Sequence, residues 1–431
     1  MTAMETLLRS FIHFAGKQAV LQDCFLVGGA VRDMFLGREL SDYDLLLRRD
    51  ARKYAEAFAA ETGGRCIVLD ELYGTMRVTH GGHYLDICLM QGAALEDDLA
   101  NRDFTLNAMA LPLGALHAPD RNEQIIDPCG GRDDLAQKRV RMVSADNLTK
   151  DPLRMLRAYR FAQELGFIIE GKTIETIRQH GPMIAHVAVE RITDELRHVL
   201  LAATSYQTIR LMDRDRLLEQ IFPDLITVGK IPRQKLLQSF GYLEHILNNP
   251  HLYFPGHAEA FSAYFRKPSR RMAMKLAVLF PSLAAAEENA KRLRCSRAEI
   301  DYIAGMRRYA DRFSDAMGAE KEERLKLVHT IGPGLYAQIL YHICQECICQ
   351  LADSLTVYYC REMLDLYHGE YQERAALLPL LTGDELMKAL SLSPSPRVGK
   401  ILAELEQMTL DGRISTKREA LAAAQIVNAH F

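Results

Sequence analysis

The hydrophobic period of this chain changes once and for good near residue 150, which limits it to a mixed front followed by a helical remainder. Before that point strand-like and helix-like stretches alternate. Cys24 to Val27 is a short apolar run that ends in Gly28-Gly29. Asp42-Tyr-Asp-Leu-Leu-Leu47 alternates acid with apolar before turning wholly apolar, and Tyr84-Leu-Asp-Ile-Cys-Leu89 repeats the pattern after the turn-forming Gly81-Gly82. Between them Ala51 to Thr62 reads as a helix that Gly63-Gly64 stops. The fold class expected is α+β, with a sheet domain of about 140 residues. From Asp151 onward, Asp151 to Leu165, Ile174 to His180, Ile192 to Ala202 and Ser205 to Glu219 carry apolar residues at helical spacing. Pro223, Pro232, Pro250, Pro255, Pro268, Pro281 and Pro333 cut the rest of the chain into helical units. With no repeat of fixed period and no low-complexity linker, the helical part is expected to pack continuously onto the sheet domain.

Composition sets outer bounds. A chain of 431 residues predicts two to four core-bearing units. Hydrophobic content of 48% with 25% charged residues excludes whole-chain disorder and disulfide scaffolds. No run of about 18 apolar residues is present to cross a membrane, and residues 1–17 mix Glu5, Arg9, His13 and Lys17 into a helical period, so a cytoplasmic protein is expected. The 53 Lys and Arg against 56 Asp and Glu leave a formal charge of −3, so a polyanionic partner would need local basic patches. Two patches qualify: Arg266, Lys267, Arg270 and Arg271, and Lys291, Arg292, Arg294 and Arg297. They can track an RNA backbone or serve as solvated helix faces. Nine irregularly spaced cysteines read as reduced thiols. His342, Cys344, Cys347 and Cys349 fall in an apolar helical run without a second Cys pair at finger-like spacing, so they read as buried thiols rather than a zinc site.

The densest chemical signal is Leu26-Val-Gly-Gly-Ala-Val-Arg-Asp33, followed nine residues later by Asp42-Tyr-Asp44. A strand that enters Gly28-Gly29 and then a helix lets backbone N–H groups approach a phosphate, and Arg32 adds a charged donor. Asp42 and Asp44, two apart, would project from one face of a strand. That arrangement suits a pair of Mg²⁺ ions about 3.5 to 4 Å apart in phosphoryl transfer. Asp86, in another strand-like run, is a candidate third ligand. Alone, a Gly-Gly turn is usually only a turn and Asp-x-Asp a solvated strand end; their order and short separation strengthen the joint reading.

These residues carry a resemblance. Gly28-Gly-Ala-Val-Arg-Asp33 with Asp42-x-Asp44 resembles the first motif of the class II tRNA nucleotidyltransferase and bacterial poly(A) polymerase family, a branch of the polymerase-β-like nucleotidyltransferases. Arg102-Asp-Phe-Thr-Leu-Asn-Ala108 is similar to its R-R-D-F-T-I-N-A motif, with Asn101 where the first Arg commonly stands. Ile126-Asp-Pro-Cys-Gly-Gly131 resembles its D-P-x-G-G segment. Asp151-Pro-Leu-Arg-Met-Leu-Arg-Ala-Tyr-Arg-Phe-Ala162 with Leu165-Gly-Phe167 resembles its E-D-x-x-R helix, and Glu190-Arg-Ile-Thr-Asp-Glu195 its E-R-x-x-x-E helix. The match spans about residues 20 to 200. The resemblance implies a catalytic head at 1–140, a helical neck with a nucleobase-selecting helix at 141–230, a degenerate HD-like helical body at 231–320 and an RNA-holding tail at 321–431.

It also implies chemistry: template-independent addition of C or A from CTP and ATP to an RNA 3′ end, the tRNA C-C-A end above all, with Mg²⁺ at Asp42 and Asp44. Gly28, Gly29, Arg32 and Arg102 would hold the triphosphate, Asp103 the ribose, and Asn107 either the nucleotide or a structural cap. No membrane and no protein partner are implied. Asp151 and Arg154 lie three apart, where an i,i+3 salt bridge is the plain reading. The functional one uses base edges: a carboxylate accepting from the exocyclic amino group and a guanidinium donating to the ring nitrogen take cytosine and adenine and refuse uracil and guanine. Lys150 stands where the family often has an acid, reversing the charge beside that pair. Glu190, Arg191 and Glu195 would brace the base-reading helix or form a solvated face. Pro281-Ser282 occupies the place of the metal-binding His-Asp in members with a hydrolase module, so no hydrolase is expected. Enzymes adding only CC, only A or poly(A) share these motifs. A silent RNA-binding scaffold would lose one of Asp42 and Asp44, and both are present.

Overall fold

The structure, a computed structural model, describes residues 3–40, 42–71, 74–227, 232–349 and 354–429. The chain forms two compact units, residues 1–199 with 208–221 and residues 200–207 with 222–431.

In the first unit, the helix α1 (Ala3–Lys17) precedes β1 (Cys24–Val27), α2 (Gly29–Phe35), β2 (Asp44–Leu47), α3 (Ala51–Thr62), β3 (Arg65–Asp70), β4 (Thr75–His80) and β5 (His83–Leu89). After α4 (Leu95–Ala100), β6 (Ala110–Pro112) completes a mixed sheet of order β3-β4-β5-β2-β1-β6. β1 is antiparallel to β2, with Val27 opposite Asp44, and β2 is parallel to β5, with Asp44 beside Asp86. β1 and β2 sit mid-sheet and are apolar on both faces, so their runs show no alternation. Phe11 and Phe14 of α1 meet Phe58 of α3 at ring distances of 5.1 and 5.4 Å, each ring fully buried. Removing such a ring typically costs about 3–5 kcal/mol.

Strands β3, β4 and β6 are absent from the sequence expectations. β3 is an edge strand whose Ile67, Val68 and Leu69 stay exposed, so it lacks the half-buried alternation by which strands are read. β6 is only three residues long and ends in Pro112 at the opposite edge.

The helices α5 (Gly131–Ala136), α6 (Ala145–Lys150), α7 (Leu153–Leu165), α8 (Gly171–His180) and α9 (Val189–Leu201) follow, with a two-stranded parallel ribbon of β7 (Arg139–Val140) and β8 (Ile168–Ile169). The Asp-Pro-Cys-Gly-Gly segment explains how α5 reaches the sheet. A Cβ on Gly131 would stand 2.3 Å from the Thr105 carbonyl oxygen, and Asp127 accepts from the N–H groups of Gly131 and Arg132 at 2.7 and 2.9 Å. Phe161 of α7 packs edge-on against Phe104 at 5.7 Å.

Two sequence expectations are corrected here. β2 begins at Asp44, so Asp42 lies before the strand rather than on it. The pairing stops there because Val27, opposite Asp44, is followed by Gly28 with φ +68°, which turns β1 away. Likewise α7 begins at Leu153, so Asp151 is not on the helix of Arg154. Asp151 is extended, at φ −132° and ψ 91°, as the residue before a proline tends to be.

The second unit is helical throughout its described residues. Its helix Pro268–Leu279 is buried at every position from Met272 onward, Lys275 included. The Lys275 ammonium donates to the Ala202 carbonyl at 2.9 Å and the Ser205 hydroxyl at 2.6 Å, with Glu244 at 3.4 Å. Burial pushes its pKa down to about 8, against the pull of Glu244. Where a hydrolase would carry His-Asp, the helix has ended, and Ser282 caps the next one by accepting from Ala285 N at 3.2 Å. His342 and Cys344 are buried on the helix Leu335–Cys349, whereas the Cys347 and Cys349 side chains lie outside the described residues. Among the described residues no helix is long and apolar enough to cross a membrane.

Candidate active site

Gly28 ends β1 with φ +68° and ψ −132°, a conformation only glycine adopts readily. A Cβ there would also stand 3.0 Å from Arg102 Nη1 and 3.7 Å from Asp44 Oδ2. Glycine thus lets the turn, a guanidinium and a carboxylate converge. They open onto a cavity of about 500 Å³ whose walls are mainly polar and charged.

Gly28, Gly29, Asp42, Asp44 and Arg102 are part of its lining. The Asp44 carboxyl has its pKa raised to about 6, first by burial and then by Asp86 on the neighbouring strand, with Arg102 only partly offsetting them. Asp42 is exposed and accepts from the Tyr84 hydroxyl. Asp86 stands in register with Asp44, but both of its oxygens accept from Arg77, at 2.7 Å each, and Arg77 in turn covers the Tyr84 ring at 3.9 Å. Arg102 is held by Asp98 Oδ2 at 3.2 and 3.3 Å.

The wall beyond is one continuous polar chain. Arg32, only 4% exposed, forks onto Asp33 at 2.8 and 2.9 Å and donates to Asn107 Oδ1 at 2.9 Å. Asn107 donates onward to Asp103 Oδ1 at 3.2 Å. Asp103 Oδ2 accepts twice from Arg157, at 2.8 and 3.0 Å. Burial alone would raise the Asp103 pKa, yet Arg157 and these hydrogen bonds hold it below the ordinary carboxylate value. Glu195 of α9 then takes Arg157 Nη1 at 3.3 Å and Arg160 Nε at 2.6 Å. The Arg32, Arg157 and Arg160 guanidinium carbons all lie near the Phe161 ring, 5.4, 5.1 and 4.2 Å from its centroid.

Asp151 and Arg154 line the cavity together, and the Arg154 N–H donates to the Asp151 carbonyl at 3.0 Å, but their side chains are not paired with each other. Arg191 donates to both Asp151 oxygens, at 2.9 and 3.3 Å. Arg154 uses Nη1 alone on the carbonyls of Asn101 and Asn147, at 2.9 and 3.3 Å. The i,i+3 salt bridge of the plain reading is therefore replaced by a brace from α9.

The cavity gathers Gly28, Gly29, Arg32, Asp42, Asp44, Arg102, Asp103, Asn107, Asp151 and Arg154, and leaves Asp86 behind Asp44. Its lining also includes Arg157, Arg160 and Phe161, to which the motifs give no role. Their signal in the sequence is the three-residue spacing Arg154, Arg157, Arg160, which sets three cations along one face of α7.

The two basic patches belong to the second unit and are largely engaged locally. Arg270 covers the Tyr264 ring at 4.0 Å and donates to the Tyr264 carbonyl, while Arg271 donates to Asn248. Lys291 pairs with Glu287, Arg292 binds Asn289, and Arg297 pairs with Asp301. Arg266, Lys267 and Arg294 are exposed.

Comparison with known proteins gives the site its context. The "Poly A polymerase head domain" model matches residues 24–141. A model described as "Probable RNA and SrmB- binding site of polymerase A" matches 166–227, and a tRNA nucleotidyltransferase domain 2 model matches 274–424. The CC-adding tRNA nucleotidyltransferase of Synechocystis sp. is 30% identical over 93% of this chain and 92% of its own length. The chain belongs to the tRNA nucleotidyltransferase and poly(A) polymerase family. The A-adding tRNA nucleotidyltransferase of Deinococcus radiodurans is equally similar, 30% identical over 93% of this chain and 94% of that protein. Members of the family are nucleotidyltransferases, and this chain is an enzyme of that kind. The Thermotoga maritima CCA-adding enzyme, solved complexed with tRNA-CCA, has a TM-score of 0.70 at 21% identity, covering 98% of this chain and 94% of that one. The Bacillus stearothermophilus CCA-adding enzyme, solved in complex with CTP, gives 0.67 at 20% identity over 100% and 99%. The family fold therefore extends along the whole chain, from the sheet-bearing head through the helical remainder.

Proposed function

We propose that the cavity of the first unit binds CTP or ATP and transfers its nucleotidyl group to the 3′-hydroxyl of a tRNA in the cytoplasm, adding C, A or both and releasing pyrophosphate. What supports this reading is one cavity lined both by two carboxylates, a glycine turn and Arg102, and by a carboxylate and a guanidinium suited to a base edge.

Asp42 and Asp44 would hold Mg²⁺. Both supply the hard oxygen donors that ion prefers, and Asp44 is a buried carboxylate whose raised pKa Arg102 offsets only in part. When bound, Mg²⁺ lowers the pKa of an attacking hydroxyl and neutralises the leaving pyrophosphate. Asp86, its oxygens engaged by Arg77, would act on this site through its charge beside Asp44.

Gly28 and Gly29 leave room for the triphosphate, Arg102 donates to it, and Arg32 with Asn107 fixes the wall against which it lies. Asp103 faces the ribose, held in place by Arg157. Asp151 accepts a hydrogen bond from the exocyclic amino group of cytosine or adenine, and Arg154 donates to the adjacent ring nitrogen. Uracil and guanine would leave these groups unpaired, a penalty that discriminates strongly. Arg191 orients the Asp151 carboxylate for this task. The segments 1–140, 141–230, 231–320 and 321–431 would serve as head, neck, body and tail, with Arg266, Lys267 and Arg294 among the residues that meet RNA.

The test incubates the protein and Mg²⁺ with tRNA ending at the discriminator base, at C or at C-C, and with an unstructured RNA, each with single labelled nucleotides. Ordered addition of C or A to tRNA followed by arrest supports the proposal and tells CCA, CC-only and A-only addition apart. Long A tracts on any RNA would assign the chain to poly(A) synthesis instead. No incorporation on any acceptor would sink the reading.

A further inference from the structure

A second cavity, of about 880 Å³, shares Asp151, Arg154 and Arg191 with the first. Its remaining walls include Asn101 and Lys150, two positions at which the chain departs from the family's motifs. The pattern carries a cation at the first position and an acid at the second; here the first is a neutral amide and the second a cation. Asn101 turns its side-chain nitrogen onto the Asp97 carbonyl at 2.8 Å, so it offers the chamber no charge. Lys150, the last residue of α6, is exposed. The cation has in effect moved from one wall of a single chamber to another.

The chamber's lining carries three cations, Lys150, Arg154 and Arg191, against two carboxylates, Asp70 and Asp151. Of its carboxylates, Asp151 is already matched by Arg191 at 2.9 Å, leaving Asp70 at the end of β3 against Lys150 and Arg154. Arg154 is oriented by two carbonyls through Nη1, whereas the Lys150 ammonium sits on a flexible stem at the surface. Because the chamber adjoins the residues assigned to the base, whatever occupies it lies beside the bound nucleotide. The reaction brings one further reactant there, the end of the RNA.

Building on the nucleotide assignment above, we propose that this chamber seats the last phosphodiester of the RNA acceptor and that Lys150 is its ion partner. A lysine ending a helix is also a common surface cation, so the test must detect a phosphate contact specifically. Binding of fluorescently labelled tRNA ending in C-C is measured over a series of salt concentrations for wild type, Lys150→Ala and Lys150→Arg. Removal of one contact to single-stranded phosphate flattens the slope of log Kd against log salt by about 0.7, equivalent to about five-fold weaker binding at 0.1 M salt. Lys150→Ala should show both changes, Lys150→Arg should restore them, and KM for CTP and ATP and the choice of base should stay at wild-type values. An unchanged slope, or an effect confined to the nucleotide KM or to base choice, overturns the proposal. If wild type incorporates no nucleotide, the catalytic assignment fails, yet the salt slope still reports on the chamber.

Discussion

At the scale of single residues, stability and catalysis pull Asp44 in opposite directions. Its raised pKa means the folded chain takes up a proton more readily than the unfolded one, so between the ordinary carboxylate value and about 6 stability falls as pH rises. Asp44→Asn should therefore abolish nucleotide incorporation at pH 7 while leaving Tm equal or higher, as measured by calorimetry. A fall in Tm would show that the ionised carboxylate stabilises the fold. Gly28→Ala makes the contrasting case. Forcing an alanine to φ +68° and ψ −132° costs about 1–3 kcal/mol, and its Cβ would push Arg102 aside, so lower stability should accompany a higher KM for nucleotide. An alanine variant with wild-type KM would remove Arg102 from the triphosphate site. Gly28 and Asp44 are legible in the sequence because an apolar strand, a glycine pair and an acid before a second apolar strand leave little choice of register. Asp151 reads as helical by its spacing from Arg154, although the contrary signal is present: Pro152 follows it, and a residue before proline is pushed out of the helical region.

Among elements, α7 and α9 are coupled through one carboxylate. Glu195 anchors two cations of α7, and one of them, Arg157, orients Asp103. Glu195→Gln and Arg157→Gln should consequently be non-additive, with a coupling of about 1–2 kcal/mol in urea unfolding. Additivity within about 0.3 kcal/mol would mean that the helices are held by packing alone. The resemblance points to Glu195 as a brace, but its two partners depend on side-chain rotamers, and no sequence pattern specifies those. The sheet is only partly legible for a related reason. Strands buried on both faces announce themselves by apolar runs, whereas β3 is exposed on an edge and β6 is too short to carry a period.

For the whole molecule, charge is spent locally, and the neutral total of the chain hides this. Most members of the two basic patches bind their own neighbours, and Arg32, Arg102, Arg157, Arg160 and Arg191 of the site each bind a carboxylate. Lys275 extends the pattern into the core of the second unit. Its pKa is lowered to about 8 from 10.5, so between those values the unfolded chain holds the extra proton and stability rises with pH, by up to about 3 kcal/mol. Denaturant unfolding from pH 7 to 10 should show this rise in wild type and not in Lys275→Met; equal slopes would rule Lys275 out as its source. The same burial has a practical consequence. An amine with no exposed surface escapes acylating reagents that modify surface lysines, so the rate at which mass spectrometry finds Lys275 labelled measures how often the second unit opens. The chain thus carries its own chemical clock for opening, with no added dye or tag.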